Sequence, residues 1–595
     1  MMATILRRLA GAFILGSSLA LAARAAPQEK PEPAVDALWL AMRQLGPEDV
    51  ARYHQIWELQ SAGKWAAADA VIRALDNPIL LGHVKFQRYM HPTAYRSSFH
   101  ELADWMARYG DHPGAERVYE LARKRQGKAP APRPPATTYA KGAPPSIVAP
   151  DIARTRAEAL AVAGFRRQFL SDVARTRLTK AGEALAAFMA RGLLSPDEIG
   201  RYGAHLAQAW FNYGDDEKAF AIAARAAEKA RGARHTPDWL AGLAAWRMGK
   251  CDVAARHFGH VAAADDARED ALAAGAFWAA RAELACRRPQ AAFAMLRQAA
   301  LYDLSFYGQI AERQLGVHRP RDWEAHQLEP ADWAALTGEP AVARAVALTQ
   351  IGRIDLADRE VHGAWQRADA ALFWPLIKLA TTLNLPEAQV RIAETRPRGV
   401  TAPLAALYPV PDWRPVDGFQ MDRALIFALM RQESRFAAHA KSHAGARGLM
   451  QVMPRTASFI AGDRRLVRDR ERRLYDPEFN MALGQRYLGY LTDQDVTYGN
   501  MFMVLAAYNA GPGNLARWLK AIDYQDDPLF FMEAIPNRET RNYVERVMAN
   551  YWLYRRRLGQ ATPSLDAVAA SAWPPYDPLD EPAAPAQTPL AQMFN

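Results

Sequence analysis

Apolar side chains recur at helical spacing through the first two-thirds of the chain, and few runs alternate as strands do. Several apolar stretches end at a glycine suited to a tight turn, and a small residue follows five positions later. The pairs are Gly63 with Ala68, Gly110 with Ala115, Gly214 with Ala219, Gly249 with Ala254 and Gly352 with Ala357, and Cys286 with Ala291 fits the same frame. Some of these turns lie about 35 residues apart, the period of stacked helix hairpins. The pattern therefore predicts an all-α protein that begins with a curved α-superhelical solenoid.

Interruptions of this pattern predict the domain organisation, and 595 residues are too many for one hydrophobic core. The proline-rich stretch 129–150 lacks helical periodicity and is expected to be flexible. We predict a signal peptide over 1–25, a U-shaped solenoid over 36–320, a small helical linker domain over 321–407, a last folded domain over 408–559, and a disordered Ala- and Pro-rich tail over 560–595.

The N-terminus has the three-part layout of a secretory signal. Arg7 and Arg8 precede an apolar stretch, and Ala23-Arg24-Ala25 offers a small-x-small site for cleavage near Ala25. The stretch is short, and no later run is apolar enough to span a bilayer, so we expect an exported chain without a transmembrane anchor. The alternative is a fortuitously apolar N-terminal helix.

The net charge indicates which classes of partner to expect, and the two cysteines raise the question of a disulfide. The formal net charge of +10 favours acidic partners such as nucleic acid, an anionic membrane, or a wall polymer bearing carboxylates. No dense Lys/Arg stripe carries interleaved aromatic residues, so we do not expect nucleic-acid binding. Cys251 and Cys286 fall at turns of successive repeats, where an exported protein can pair them; buried free thiols are the alternative.

The first candidate for chemistry is Glu433. The spacing predicts a helix over Met421–Phe436 with Leu425, Leu429 and Glu433 on one face, so the carboxyl group lies among residues that pack inward. Partial burial and the last turn of a helix both raise the pKa of a carboxyl group. A Glu that stays protonated near neutral pH suits a general acid, whereas the alternative is a structural Glu bonded to a neighbouring loop.

A glycine-rich segment follows this helix. Gly445 and Gly448 allow a tight turn that can approach a ligand closely, and Leu449–Met453 is expected to start another element that Pro454 stops. Ser442 and Gln451 offer hydroxyl and amide groups for sugar substituents. Met453 offers a polarizable apolar surface for a sugar ring to contact, although such side chains more often belong to a core.

Together these segments resemble the soluble lytic transglycosylases of the bacterial cell wall. The matching motifs are Glu433-Ser434, Gly445–Pro454, Ala506–Gly513, Ile535-Pro536 with Glu539–Arg541 and Tyr543-Val544, and Phe306–Gly308 with Leu315-Gly316. The motifs are specific as a set, and any one of them alone would be weak. The resemblance extends over the signal, the solenoid, the linker and the last domain.

This resemblance implies a lysozyme-like catalytic domain that cuts peptidoglycan strands between N-acetylmuramic acid and N-acetylglucosamine in the periplasm. Glu433 would act first as acid and then as base, and the product would be a 1,6-anhydromuramic acid end formed without water. The implied substrate-binding residues are Ser442, Gln451, Met453, Tyr508 and Glu539, with Ser434, Gly445, Gly448 and Asn509 in support. The solenoid would thread a glycan strand and favour cleavage from chain ends.

Two other functions fit the same sequence. A hydrolytic muramidase needs a second carboxylate, for which the candidates are Asp463, Asp476, Glu478 and Glu539; Asp476 reads as a helix cap. A solenoid scaffold that only binds glycan is the second alternative. His443 has no nucleophile motif beside it and is expected to be an exposed loop residue. We find no motif for a metal or cofactor, and we expect a monomer.

Overall fold

The computed structural model describes residues 33–136, 152–401, 403–468 and 471–580. It divides into two compact units, Met1–Arg43 and Gln44–Asn595. The described part of the smaller unit is helix α1 (Pro33–Met42) followed by Arg43. The predicted signal peptide and most of the proline-rich stretch 129–150 lie outside the described residues, and the predicted domain boundaries stay predictions.

The larger unit begins with five helices that pack as hairpins. They are α2 (Pro47–Ser61), α3 (Trp65–Ile72), α4 (Leu81–Tyr89), α5 (Phe99–Tyr109) and α6 (Ala115–Arg125). The main pairs are α2 with α3 and α5 with α6. A core of Leu102, Trp105, Met106 and Val118 lies between α5 and α6.

The next nine helices form the superhelical part, in which each helix packs mainly on its neighbours along the chain. They are α7 (Arg156–Ala174), α8 (Leu178–Ala190), α9 (Pro196–Tyr213), α10 (Asp216–Ala230), α11 (Thr236–Arg247), α12 (Cys251–Ala262), α13 (Glu269–Ala285), α14 (Pro289–Ala299) and α15 (Phe306–Gln314). The described residues contain helices and isolated β-bridges but no β-strand, which confirms the all-α class.

Four of the predicted glycine turns have the left-handed conformation that glycine tolerates best. The φ angles are +70° at Gly63, +88° at Gly214, +69° at Gly249 and +68° at Gly352. The alanine five residues after each of these glycines is fully or almost fully buried. The predicted packing of a small residue into the hairpin is therefore correct at these turns.

The other two turns depart from the predicted frame. Gly110 ends α5 with φ −63°, so its turn does not use the left-handed region. At the Cys286 turn the left-handed residue is Arg287, with φ +58°, and the buried small residue is Ala292 rather than the exposed Ala291. The repeat is thus shifted by one position here, because α13 extends one residue further before the chain turns. Cys251 and Cys286 are joined by a disulfide, with 5.6 Å between their Cα atoms.

A third group of helices follows the superhelical part. It comprises α16 (Pro330–Leu336), α17 (Pro340–Gln350), α18 (Ile354–Arg367), a 3₁₀ turn (Ala370–Leu372), α19 (Phe373–Thr382), α20 (Pro386–Glu394) and α21 (Leu404–Leu407). Buried Glu360 on α18 accepts two hydrogen bonds from Arg344 on α17 and lies 2.7 Å from Nε2 of His83 on α4. This buried network ties α17 and α18 to the first five helices.

The last group contains the remaining helices. It comprises α22 (Arg423–Glu433), α23 (Pro454–Ala461), two 3₁₀ turns (Arg464–Val467 and Glu471–Tyr475), α24 (Pro477–Thr492), α25 (Met501–Ala510), α26 (Pro512–Ala521), α27 (Pro528–Ala534), α28 (Arg538–Arg557) and α29 (Pro563–Ala569). Helices α22, α25 and α28 pack together. Among the described residues, no helix combines the length and the apolar character needed to cross a membrane.

The predicted disorder from Gln560 onward is wrong for residues 560–580. Helix α29 packs on α15, and Leu565 and Val568 are fully buried. The amides of Leu579 and Asp580 donate to buried Asp422 at the start of α22. High Ala and Pro content indicated disorder, but these apolar side chains find a surface made by distant helices. Residues 581–595 lie outside the described residues.

The Phe306–Gly308 motif joins the superhelical part to the last group. The ring of Phe306 stacks on Trp552 of α28 at 5.1 Å between centroids, and the hydroxyl of Tyr307 donates to buried Glu533 of α27. A side chain at Gly308 would collide with the carbonyl oxygen of Tyr302. The motif is therefore a packing device that fixes α15 against α27 and α28.

Candidate active site

Glu433 is the last residue of α22. Residues 424–430 are all buried, and α22 packs against α28. The backbone then turns sharply, since Arg435 and Phe436 have φ of +50° and +65°. The predicted helix over Met421–Phe436 is therefore shorter at both ends, and the sharp turn leaves Glu433 partly exposed at its end.

The surroundings of Glu433 favour its neutral form. Burial is the main cause, and the negative charge of Glu539 a smaller one, that raise the pKa of Glu433 from 4.5 to about 7. The hydroxyl of Tyr543 donates to Oε1 of Glu433 at 2.7 Å and opposes both effects. The upward direction that the sequence predicted is confirmed, and close to neutral pH the group is protonated in a large fraction of molecules.

Tyr543 is a site residue that the sequence analysis did not single out. It is buried on α28, four residues after Glu539, so the two side chains share one face of that helix. Asn537 caps α28 by accepting from the amides of Glu539 and Thr540, which fixes the start of this face. The sequence signal that could have indicated Tyr543 was its i, i+4 spacing from Glu539 within the motif Ile535–Val544.

The glycine-rich segment is a compact loop with two antiparallel bridges, Lys441 with Arg447 and Arg447 with Val452. Gly445 and Gly448 have φ of +93° and +77°, as the tight turn requires. A Cβ atom at Gly448 would collide with the Leu474 carbonyl and the Asn480 side chain.

The predicted element over Leu449–Met453 is wrong. These residues form the end of the glycine-rich loop, and Pro454 begins α23 instead of ending an element. Proline is suited to the first helical turn, because its missing N–H has no partner there.

Asn480 organises this loop from α24 and was also missed. Its buried side chain donates to the carbonyls of Arg447 and Leu474 and accepts from the amide of Met450 at 2.8 Å. A side chain with two donors and an acceptor satisfies three backbone groups at once. Because these partners lie 6 to 33 positions away along the chain, no local pattern revealed the role.

Ser442 and Gln451, predicted to contact sugar, bond within the same loop. The hydroxyl of Ser442 accepts from the amide of Ala446 at 3.0 Å. The amide of Gln451 donates to the carbonyl oxygens of Ala440 and Gly448, and its backbone is left-handed with φ +48°. Both side chains are partly exposed, so each also presents surface beside the loop.

Met453 and Ser434 differ in exposure. Met453 is 38% exposed at the start of α23, so it lies outside the core and can contact a ligand. Ser434 is buried, and its hydroxyl donates to the Met430 carbonyl, so this residue closes the end of α22.

Tyr508 and Asn509 stand near the end of α25. The hydroxyl of Tyr508 donates to the carbonyl of Met450 at 2.8 Å, which ties α25 to the glycine-rich loop. The negative charge of Glu433 is one of the causes that raise the pKa of Tyr508, after burial. Asn509 accepts from the hydroxyl of Thr540 on α28. The hydrogen-bond partner of Glu433 is therefore Tyr543, and Tyr508 braces the loop opposite.

The other carboxylates suggested for a second catalytic role occupy different positions. Asp463 accepts from the amide and the guanidinium of Arg465, and Asp476 caps α24 by accepting from the Phe479 amide, as predicted. Glu478 is exposed in the first turn of α24. Glu539 is exposed and acts on Glu433 electrostatically. His443 is exposed in the loop, as expected.

Comparison with known proteins identifies relatives of the region around Glu433. The Transglycosylase SLT domain family matches residues 416–530. The chain is 39% identical over 145 residues to "Soluble lytic murein transglycosylase" of Salmonella typhimurium, covering 24% of this chain and 22% of that protein. It is 37% identical over 162 residues to the protein of the same name from Escherichia coli, covering 27% and 24%. The matches thus span less than a quarter of these relatives.

The fold extends the likeness along the chain. The 70 kDa soluble lytic transglycosylase from Escherichia coli superposes with a TM-score of 0.54 at 19% identity, covering 86% of this chain and 97% of that chain. Identity this low shows a shared fold alone. The shared fold thus extends over most of this chain.

Proposed function

This chain is related to the soluble lytic transglycosylases, and from that premise we propose that it is a lytic transglycosylase acting on peptidoglycan. The proposal rests on Glu433, whose carboxyl group lies at a helix end and has a pKa raised to about 7. A general acid works best when its pKa lies near the working pH. Tyr543 holds its Oε1 at 2.7 Å and so fixes the direction of the acidic group.

The proposed reaction uses Glu433 twice. Protonated Glu433 gives its proton to the oxygen that links N-acetylmuramic acid to N-acetylglucosamine, and the C1–O bond breaks. The muramyl N-acetyl group stabilises the positive charge that develops at C1. Glu433, now a carboxylate, takes the proton of the muramyl C6 hydroxyl, and that oxygen bonds to C1. The products are a free 4-hydroxyl on the departing sugar and a 1,6-anhydromuramic acid end, and Glu433 is protonated again.

The surroundings of Glu433 support one catalytic carboxylate rather than two. A hydrolytic muramidase needs a second carboxylate that activates water or attacks the sugar. Asp463 and Asp476 are engaged as turn and helix caps, and Glu478 is exposed. Glu539 is left as the remaining candidate for a muramidase, because its charge acts on Glu433.

The loop and α25 are proposed to line the substrate cleft. Ser442, Gln451 and Met453 present polar and apolar surface beside the glycine-rich loop, and Tyr508 holds that loop through Met450. The superhelical part is proposed to hold the glycan strand so that cleavage starts from a chain end. An exported chain with this substrate would act in the periplasm.

The deciding experiment is mass spectrometry of the products released from purified peptidoglycan by the mature protein. Glu433→Gln is the test variant, and Glu478→Gln is the matched control, since it removes an exposed carboxylate of the same region. We expect products lighter by one water than hydrolysis products from the wild type and the control, and none from Glu433→Gln.

Two results would contradict the proposal. Products that carry one added water and a reducing end would indicate a muramidase, and Glu539 would then be the residue to substitute next. Folded wild-type protein that binds peptidoglycan and releases nothing would indicate the scaffold function.

A further inference from the structure

A cavity of about 500 Å³ lies on the first five helices of the larger unit, and none of its lining residues belongs to α22–α29. One wall is formed by residues 90–93, 95 and 96 of the connection from α4 to α5. The other wall is a face of α6 that carries Arg117, Glu120, Leu121, Lys124 and Arg125. These five positions have the i, i+3, i+4, i+7, i+8 spacing of one helix face. The volume falls within the range of small-ligand sites.

The cavity is strongly cationic. Arg96, Arg117, Lys124 and Arg125 line it, and Glu120 is the carboxylate among its lining residues. Across the described parts of the chain, no carboxylate lies within ion-pair distance of Arg96, Arg117 or Lys124. Arginine and lysine side chains that line a cavity without a partner carboxylate favour an anionic ligand.

Aromatic rings form the rest of the surface. Tyr89 and Tyr95 line the cavity and stack at 6.0 Å between centroids with 24° between their planes. Trp65 packs edge-on against Tyr95. Flat, partly exposed rings beside cations suit a ligand that has an apolar face as well as carboxylates.

The loop wall is held in place by side chains. The indole of Trp65 donates to the carbonyl of Ala94 at 3.1 Å, and Nδ1 of His91 accepts from the amide of Ala94 at 2.9 Å. Arg125 donates to the carbonyl and to the hydroxyl of Ser97. A segment without regular secondary structure is thereby fixed before any ligand arrives, which lowers the entropy cost of binding.

We propose that this cavity is a second peptidoglycan-binding site, which takes the carboxylates of a stem peptide on Arg96, Arg117 and Lys124 and an adjoining sugar ring on Tyr89 and Tyr95. The identity of the ligand rests on the proposed function, because a wall polymer offers both carboxylates and sugar rings. The site would hold a peptide-bearing part of the strand on the first five helices of the larger unit while another part reaches Glu433.

The test uses the full mature chain with Glu433→Gln, so that the ligand stays intact. The probe is a GlcNAc–MurNAc-tetrapeptide fragment, compared with the same disaccharide without its peptide. Hydrogen–deuterium exchange reports whether residues 89–97 and 117–125 are protected, and calorimetry gives the affinity. The charge-reversed variant is Arg117→Glu with Lys124→Glu. The matched control is Arg123→Glu, an exposed cation of α6 outside the cavity.

We expect protection of both segments by the peptide-bearing fragment, and at least about tenfold weaker protection in the charge-reversed variant, with a smaller difference at high salt. Arg123→Glu is expected to bind as the parent does. Equal binding by the charge-reversed variant, equal loss in Arg123→Glu, or equal protection by the peptide-free disaccharide would each overturn the proposal. So would a single-stranded oligonucleotide that protects the segments as strongly. Failure of cleavage in the wild type, with protection retained, would refute the proposed reaction and leave this site standing.

Discussion

The acidity of Glu433 can be moved in opposite directions by two neighbouring side chains. Tyr543 donates a hydrogen bond that favours the carboxylate, and Glu539 carries a charge that disfavours it. Tyr543→Phe should therefore raise the pKa of Glu433, and Glu539→Gln should lower it. Because the two substitutions should shift the pKa in opposite directions, comparing them distinguishes an effect on this carboxyl group from general damage to the site.

The size of each shift follows from the contact that is removed. A hydrogen bond to a charged group contributes about 1.5 kcal/mol at the lower end of its range. Since 1.36 kcal/mol corresponds to one pKa unit, Tyr543→Phe should raise the pKa of Glu433 from about 7 to about 8. Glu539 is exposed and screened by water, so its removal should lower the pKa by a few tenths of a unit.

The assay is kcat/KM against pH between about 5 and 9 on soluble glycan strands, because this ratio reports the pKa of the free enzyme. The rate should fall above pH 7 in the wild type as Glu433 loses its proton, and the fall should begin about one unit higher in Tyr543→Phe. Tyr508→Phe is the control, since its hydroxyl bonds to Met450 instead of Glu433. The reasoning would be refuted if the decline of kcat/KM at high pH began at the wild-type pH in Tyr543→Phe. It would also be refuted if this decline shifted in the same direction in Tyr543→Phe and Glu539→Gln.

Three further predictions concern stability. The pKa of Glu433 in the folded chain lies above its unfolded value of 4.5, so the folded state binds more protons than the unfolded state between pH 4.5 and about 7. The free energy of unfolding should therefore fall by up to about 3 kcal/mol as pH rises through that window. Thermal unfolding should show Glu433→Gln to be more stable than wild type at pH 8 and not at pH 4.5. Gly448→Ala should cost more than about 2 kcal/mol in chemical unfolding because its Cβ collides with Leu474 and Asn480, whereas Gly445→Ala, with open space around it, should cost about 1; equal costs would contradict the collision. Replacing Cys251 and Cys286 with serine opens a loop of 35 residues and should cost about 3–4 kcal/mol, and an unchanged melting temperature would show that the disulfide does not limit unfolding.

Local sequence signals predicted the features that depend on neighbours along the chain. The left-handed turns at Gly63, Gly214, Gly249 and Gly352 follow from the conformational freedom of glycine and from the length of one helix hairpin. The raised pKa of Glu433 followed from its place on an inward face at a helix end. These signals sufficed for the all-α class and for the candidate acid.

Only the tertiary structure decided which distant groups meet. Tyr543 lies 110 positions from Glu433 and reaches it because α28 packs on α22, so its spacing from Glu539 could not show that Tyr543 rather than Tyr508 bonds to Glu433. Composition indicated disorder after Gln560, yet residues 560–580 pack on α15 and Asp422. The cavity likewise exists because α6 faces the residues after α4. Helical periodicity specifies which face of each element is apolar, and the packing of those faces specifies which side chains come within hydrogen-bond distance.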